Sequence, residues 1–111
     1  MTHDPIDLTD ATFGAEVLEA GTPVLVEFWA TWSAPCTTLA PIIRDIAKHW
    51  TGKLPVVRLD IDNNFFTARK YQVLTIPTLI LFREGKPLER IVGVVTKVEI
   101  DRRLRNALMS V

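Results

Sequence analysis

Three features of the chain predict an α/β fold, with a central mixed five-stranded sheet flanked by four helices. Stretches with strand character alternate with stretches of helical spacing. The run Val24 to Trp29 is apolar almost throughout, as in a central strand covered on both faces. The last two strand-like runs lie close enough to form an antiparallel hairpin. Alternation argues for parallel pairing through right-handed crossovers, and the hairpin makes the sheet mixed. The 111 residues, 48% of them apolar, fit a single domain over residues 1–111 with a core of its own.

The elements follow in the order βαβαβαββα. Ile6 to Leu8 reads as a short first strand. Thr9 and Asp10 then offer N-cap oxygens to a helix reaching about Ala20, with Phe13, Val17 and Leu18 as its apolar stripe. Gly21-Thr22-Pro23 ends it, and Val24 to Trp29 is the second strand. After the loop 30–33, Pro35 suits the first turn of a long helix on which Leu39, Ile42, Ile43, Ile46 and Trp50 keep helical spacing. Pro41 interrupts that pattern, so a kink is expected there rather than an end. Pro55 to Ile61 is the third strand, and Asn63 or Asn64 caps a shorter helix ending near Tyr71. Thr78 to Phe82 is the fourth strand, Arg83-Glu84-Gly85-Lys86 the turn, and Leu88 to Val94 the fifth strand. Thr96 with Glu99 makes a capping box for the last helix, whose stripe is Ile100, Leu104, Ala107 and Leu108. There are no repeats or linkers.

Composition narrows the function. Thirteen basic and thirteen acidic side chains cancel, so no net field points to nucleic acid, an anionic membrane or an acidic partner. Arg102, Arg103 and Arg105 spread over more than one helix face and read as solvated surface. Met1 to Asp10 is polar, without a basic segment followed by an apolar one, so no signal peptide is expected. The apolar runs are too short to span a bilayer, and a cytoplasmic location is expected. With one cysteine, Cys36, the chain has no intramolecular disulfide and no cysteine-based metal site. His3 and His49 are far apart, with no carboxylate cluster beside them, and no metal is expected.

Cys36 falls in the first turn of a helix that directly follows a buried strand. Helix N-terminal N–H groups and the macrodipole favour a thiolate in such a place. A lone cysteine is also a common small core residue, and position alone leaves both readings open. The surrounding residues decide more. The chain reads Phe28-Trp29-Ala30-Thr31-Trp32-Ser33-Ala34-Pro35-Cys36, then Pro41, then Ile76-Pro77-Thr78, with Gly85 in the hairpin and Gly93 after it. This set resembles the thioredoxin family, whose form around the site is F-W-A-x-W-C-x-P-C, with a proline five residues on and I-P-T further along. The resemblance covers essentially the whole chain. It implies the thioredoxin fold and a general protein-disulfide reductase acting by thiol–disulfide exchange, in electron transport and cell redox homeostasis. It also implies disulfide-containing client proteins, a thioredoxin reductase that recharges the dithiol, no bound cofactor, and a monomer.

The departure is Ser33, where the family carries the exposed cysteine that attacks the client disulfide. Cys36 matches the second, resolving cysteine. Exchange needs a thiolate attacker and passes through a mixed disulfide. A serine hydroxyl stays protonated near neutrality and forms no disulfide, so Ser33 is expected to abolish the first step with little change of shape. Its structural role is that of helix N-cap. Two origins stand open: an engineered active-site Cys-to-Ser variant of an ordinary family member, or a natural redox-inactive or monothiol one. In the natural case the domain is a module that binds extended or unfolded clients in a chaperone-like way. Chemistry at Cys36 alone is a third possibility, expected to be hindered by Pro35 and the helix.

The resemblance also implies a cis bond at Ile76-Pro77 beside the cysteine motif. The backbone there would pair with an extended client segment by strand addition. Trp32 would supply an apolar platform, with Ala34, Pro35, Ile76, Thr78 and Gly93 as further client contacts and Trp29 and Pro41 as supports. Glu27 interrupts the most apolar strand, and a carboxylate there is costly unless protonated or paired. The family usually has aspartate at this place as proton acceptor for the second cysteine, and glutamate reaches one methylene further. Arg58, on the adjacent strand, is its expected charge partner. The bland reading of Glu27 is a strand-end carboxylate facing solvent.

Overall fold

The computed structural model describes residues 4–109, so His3 and the first residues of the polar N-terminal stretch lie outside the described residues. Strand β1 (Ile6–Leu8) leads into α1 (Asp10–Phe13), which widens into a π-helical turn over Gly14–Leu18. Then come β2 (Val24–Trp29), α2 (Ala34–His49), β3 (Val56–Asp60) and α3 (Phe65–Lys70). The chain closes with β4 (Thr78–Arg83), β5 (Lys86–Val92) and α4 (Lys97–Met109). The strands form one five-stranded sheet in the order β1-β3-β2-β4-β5. Strand β3 runs parallel to β1 and β2, whereas β4 runs antiparallel to β2 and β5.

Strand β2 lies at the centre because helices cover both of its faces. Successive side chains of a strand point to opposite faces. Leu25 packs with Leu39, Ile43 and Ile46 of α2 and with Ile100 and Leu104 of α4. Val24, Val26 and Phe28 pack with Phe13, Val17 and Ala68 on the other face. Full burial of each such aliphatic or aromatic side chain stabilises the fold by roughly 1.5–3 kcal/mol. The same alternation sets Glu27, two residues beyond Leu25, on the face covered by α2.

Several boundaries differ from the sequence reading, each for a local reason. Helix α1 does not run evenly to Ala20; the Glu19 N–H bonds to Gly14 O, the wider i→i−5 spacing of a π turn. The hairpin turn is shorter than Arg83–Lys86. Only Glu84 (φ 54°) and Gly85 (φ 77°) form it, so Arg83 and Lys86 pair across the ladder. Two consecutive left-handed residues make the two-residue turn whose twist matches antiparallel strands. Strand β5 therefore starts at Lys86 and ends at Val92, before Gly93 (φ 87°). Helix α2 passes through Pro41 without ending. At α4 only half of the capping box forms. The Glu99 N–H donates to Thr96 Oγ1 at 3.2 Å, while the Glu99 carboxylate goes to Arg102 instead, at 2.8 and 2.6 Å.

The cap of α3 is exchanged between elements. Asn64 stands at its N-cap, yet its side chain makes no capping bond. It accepts from the Asp10 N–H at 2.9 Å and donates to Asp60 O at 3.1 Å. Asp10, placed by its sequence as a cap for α1, supplies the missing cap. Its carboxylate accepts from the Phe66 N–H (3.2 Å), the Thr67 N–H (2.9 Å) and the Thr67 hydroxyl (2.6 Å). Helix α1 is capped by Thr9 in a reciprocal box with Thr12. Asp10→Ala is expected to cost about 1–2 kcal/mol, since it strips helix N-terminal donors of their acceptor. Urea unfolding checks this; a loss under a few tenths of a kcal/mol would show that water replaces the cap.

Candidate active site

The site forms at one end of the sheet, where β2 runs out and β4 begins. Phe28 pairs with Thr78, and Thr78 pairs in turn with Val92. The loop after β2, the Ile76-Pro77 segment and Gly93 are thereby brought together. The Ile76-Pro77 bond is cis. Gly93 N–H donates to Pro77 O at 2.9 Å, which ties the far end of β5 to the same segment.

Ser33 is the N-cap of α2, with extended backbone (φ −90°, ψ 115°). Its hydroxyl accepts from the Cys36 N–H at 3.3 Å, the N-cap role that its residue type predicts. Ala34 and Pro35 fill the first turn and are exposed. Both polar positions of the motif turn inward: Ser33 is buried and Cys36 is 4% exposed. Trp32 by contrast stands 68% exposed; on the other segments of this end Ile76 and Gly93 are half-buried and Pro77 is buried. Thr78, expected among the client contacts, is buried. Its hydroxyl donates to Thr75 O and its backbone lies in the ladder, so it supports the rim from beneath.

Glu27 does not face solvent; it is 1% exposed. Its Oε1 accepts from Arg58 Nε at 3.2 Å, and its Oε2 has no hydrogen-bond partner. Burial raises the carboxyl above its ordinary value of 4.5, against the opposing pull of the Arg58 guanidinium. Arg58 also stacks over Trp29, 3.7 Å from the ring centroid, and the half-buried indole has a buried Nε1 without partner. Glu27 lies on a cleft of about 240 Å³ walled by Asp7, Arg58, Ala40, Ile43 and Arg44. Ala40 and Ile43 lie one and two turns beyond Cys36, so the carboxyl sits deeper along α2 than the thiol and makes no direct hydrogen bond to it. Sequence reasoning missed Asp7 and Arg44. Arg44 carried a signal, two helical turns from Cys36; Asp7 needed the strand register.

Among the described residues, no three His, Cys, Asp or Glu side chains gather as a metal site. Among the same residues, no helix is long and apolar enough to cross a membrane.

A mixed sheet with a cysteine in the first turn of the helix after its central strand, and a cis-proline just ahead of that strand's antiparallel neighbour, is the arrangement of the thioredoxin-fold class. The family model described as Thioredoxin matches residues 4–106, and the chain belongs to the thioredoxin family. It is 48% identical over 103 residues to a thioredoxin of Mycobacterium tuberculosis, covering 93% of this chain and 89% of that one. It is 45% identical to a thioredoxin of Mycolicibacterium smegmatis, covering 93% and 94%. A bifunctional thioredoxin reductase/thioredoxin of Mycobacterium leprae is 47% identical over 93% of this chain, which spans 22% of that protein.

Proposed function

We propose that this chain is a single-domain thioredoxin, a general protein-disulfide reductase whose attacking position is occupied by Ser33, and that it is redox-inactive as it stands. The observation that carries this is the state of the two motif positions. The Ser33 hydroxyl is spent on capping α2, and the only thiol, Cys36, is buried behind it. In the two-cysteine form, the thiolate introduced by Ser33→Cys attacks a client disulfide, forms a mixed disulfide and expels one client thiolate. Cys36 gives its proton, relayed by water, to the Glu27 carboxylate and attacks the mixed disulfide. An internal disulfide forms, the second client thiolate leaves, and two electrons have passed to the client. A thioredoxin reductase returns them.

Ile76 and Gly93, backed by the buried Pro77, line the groove for an extended client segment, with Trp32, Ala34 and Pro35 as its other wall. Trp29, Arg58 and Pro41 support it. No cofactor is required, and the protein acts as a cytoplasmic monomer on disulfide-containing proteins. In a reductase-coupled assay this chain is expected to leave insulin disulfides intact; unaided turnover would overturn its assignment as inactive. The exposure of Trp32 favours a second reading, in which Ser33 is native and the groove holds unfolded clients without turnover. Suppressed aggregation of a disulfide-free client, abolished by Trp32→Ala, would support it.

A further inference from the structure

Helix α3 turns two phenyl groups and two cations to solvent. Thr67 and Ala68 are its buried residues, while Phe65, Phe66, Arg69 and Lys70 are exposed. At 3.6 residues per turn the four exposed residues share one arc of about 140°, as two i, i+4 pairs: Phe65 with Arg69, and Phe66 with Lys70. Phe65 is 58% and Phe66 71% exposed. Phe66, Arg69 and Lys70 line an open hollow of about 440 Å³. A solvated helix face carries polar residues, and adjacent exposed aromatic groups mark a contact surface.

The cations are not needed to close the helix. Gln72 takes the left-handed conformation (φ 55°), its N–H donates to Arg69 O at 3.1 Å, and the Val73 N–H donates to Ala68 O at 2.9 Å. Lys70 lies over the Tyr71 ring, 5.5 Å from its centroid. Among the described residues neither Arg69 nor Lys70 makes an ion pair. The helix also starts at the same end of the sheet as the groove. Its N-cap Asn64 is tied to Asp60 O, and Asp60 is in register with Trp29, three residues before Trp32. After the reversal at Gln72 the chain runs through the almost fully exposed Leu74 to Ile76.

We propose that the outward face of α3 is a second docking surface, for an acidic protein segment with an aliphatic or aromatic anchor, carried by a client held in the groove. The anchor packs on Phe65 and Phe66, and the carboxylates beside it pair with Arg69 and Lys70. Leu74 continues the apolar surface toward Ile76. The formal net charge of the chain is zero, so a preference for acidic segments is local to this face. That the segment belongs to a client rests on the groove being the client site.

The test is an amide NMR titration of this chain with an end-blocked, disulfide-free peptide of glutamate, leucine and serine. A length of about twelve residues gives it a reach of roughly 40 Å when extended. The control is the same peptide with lysine for every glutamate. The glutamate peptide is expected to shift the amides of residues 65–71 and those of Trp32, Ile76 and Gly93, with a response at α3 that weakens as salt is raised. Phe66→Ala, and separately Arg69→Gln with Lys70→Gln, are each expected to weaken binding at α3 by about tenfold. All three substitutions bring in good helix formers, so the helix is kept. Unmoved α3 amides, or equal shifts with the lysine peptide, overturn the proposal. Shifts at α3 that grow with protein concentration alone overturn it in favour of a second copy of this chain. If α3 responds as expected while Trp32, Ile76 and Gly93 do not, the docking surface stands and the client role of the groove fails.

Discussion

Ser33→Cys is expected to raise reductase-coupled reduction of insulin disulfides from background by about a thousandfold or more, the scale on which a missing nucleophile is felt. The expectation rests on how little else has to change. The segment before β4 is tied to the end of β5 by the bond from Gly93 N–H to Pro77 O, and α2 already carries Cys36 in its first turn. A thiol is a weaker N-cap than a hydroxyl, so the variant is expected to lose about 0.5–1 kcal/mol of stability while gaining activity. The same substitution combined with Cys36→Ser is expected to form the mixed disulfide with insulin and stop there, visible as a covalent adduct that dithiothreitol releases. Silence of Ser33→Cys, with the fold intact by circular dichroism, would remove the oxidoreductase reading and leave the client-binding one.

The site was legible from sequence wherever a residue type and its spacing carry the same message. Val24 to Trp29 is apolar on both faces because both faces are covered, so its central place could be read directly, and Glu27 stood out as the exception within it. Cys36 after that strand, with Pro35 beside it, gave the helix start. What was hidden depends on register. Asp10 looks like a cap for its own helix, and only the meeting of α1 with α3 turns it into the cap of another. Thr78 sits next to the cis-proline, which made it look like a contact, but β4 lies between β2 and β5, and an interior strand buries its residues. Asp7 is an ordinary surface aspartate until strand order sets it opposite Arg58.

Glu27→Leu is expected to stabilise the protein at pH 8 by roughly 2–3 kcal/mol while slowing disulfide exchange in the Ser33→Cys background. The buried carboxylate keeps one oxygen unpaired and a single bond to a guanidinium that is itself 25% exposed. Such a group costs more in lost hydration than the pair returns, and an apolar side chain of similar volume is often the more stable choice. The pH dependence fixes the sign. Burial raises the folded-state midpoint of Glu27 above the unfolded value of 4.5. The neutral carboxyl is therefore favoured in the fold below 4.5, and that contribution is lost as pH climbs through the folded midpoint. Glu99 and Asp101 act in the opposite sense. Hydrogen bonding from Arg102 lowers Glu99, and bonds from Lys97 and Trp50 lower Asp101 against its burial, so their contributions disappear as pH falls. The difference between the two proteins cancels these common effects. Urea unfolding at pH 4 and pH 8 is expected to show a gain for Glu27→Leu that is present at pH 8 and small at pH 4. A gain equal at both would assign it to packing and remove the buried charge from the account. A slower resolution step would accompany the gain, because the group that destabilises the fold is the one proposed to take the proton from Cys36.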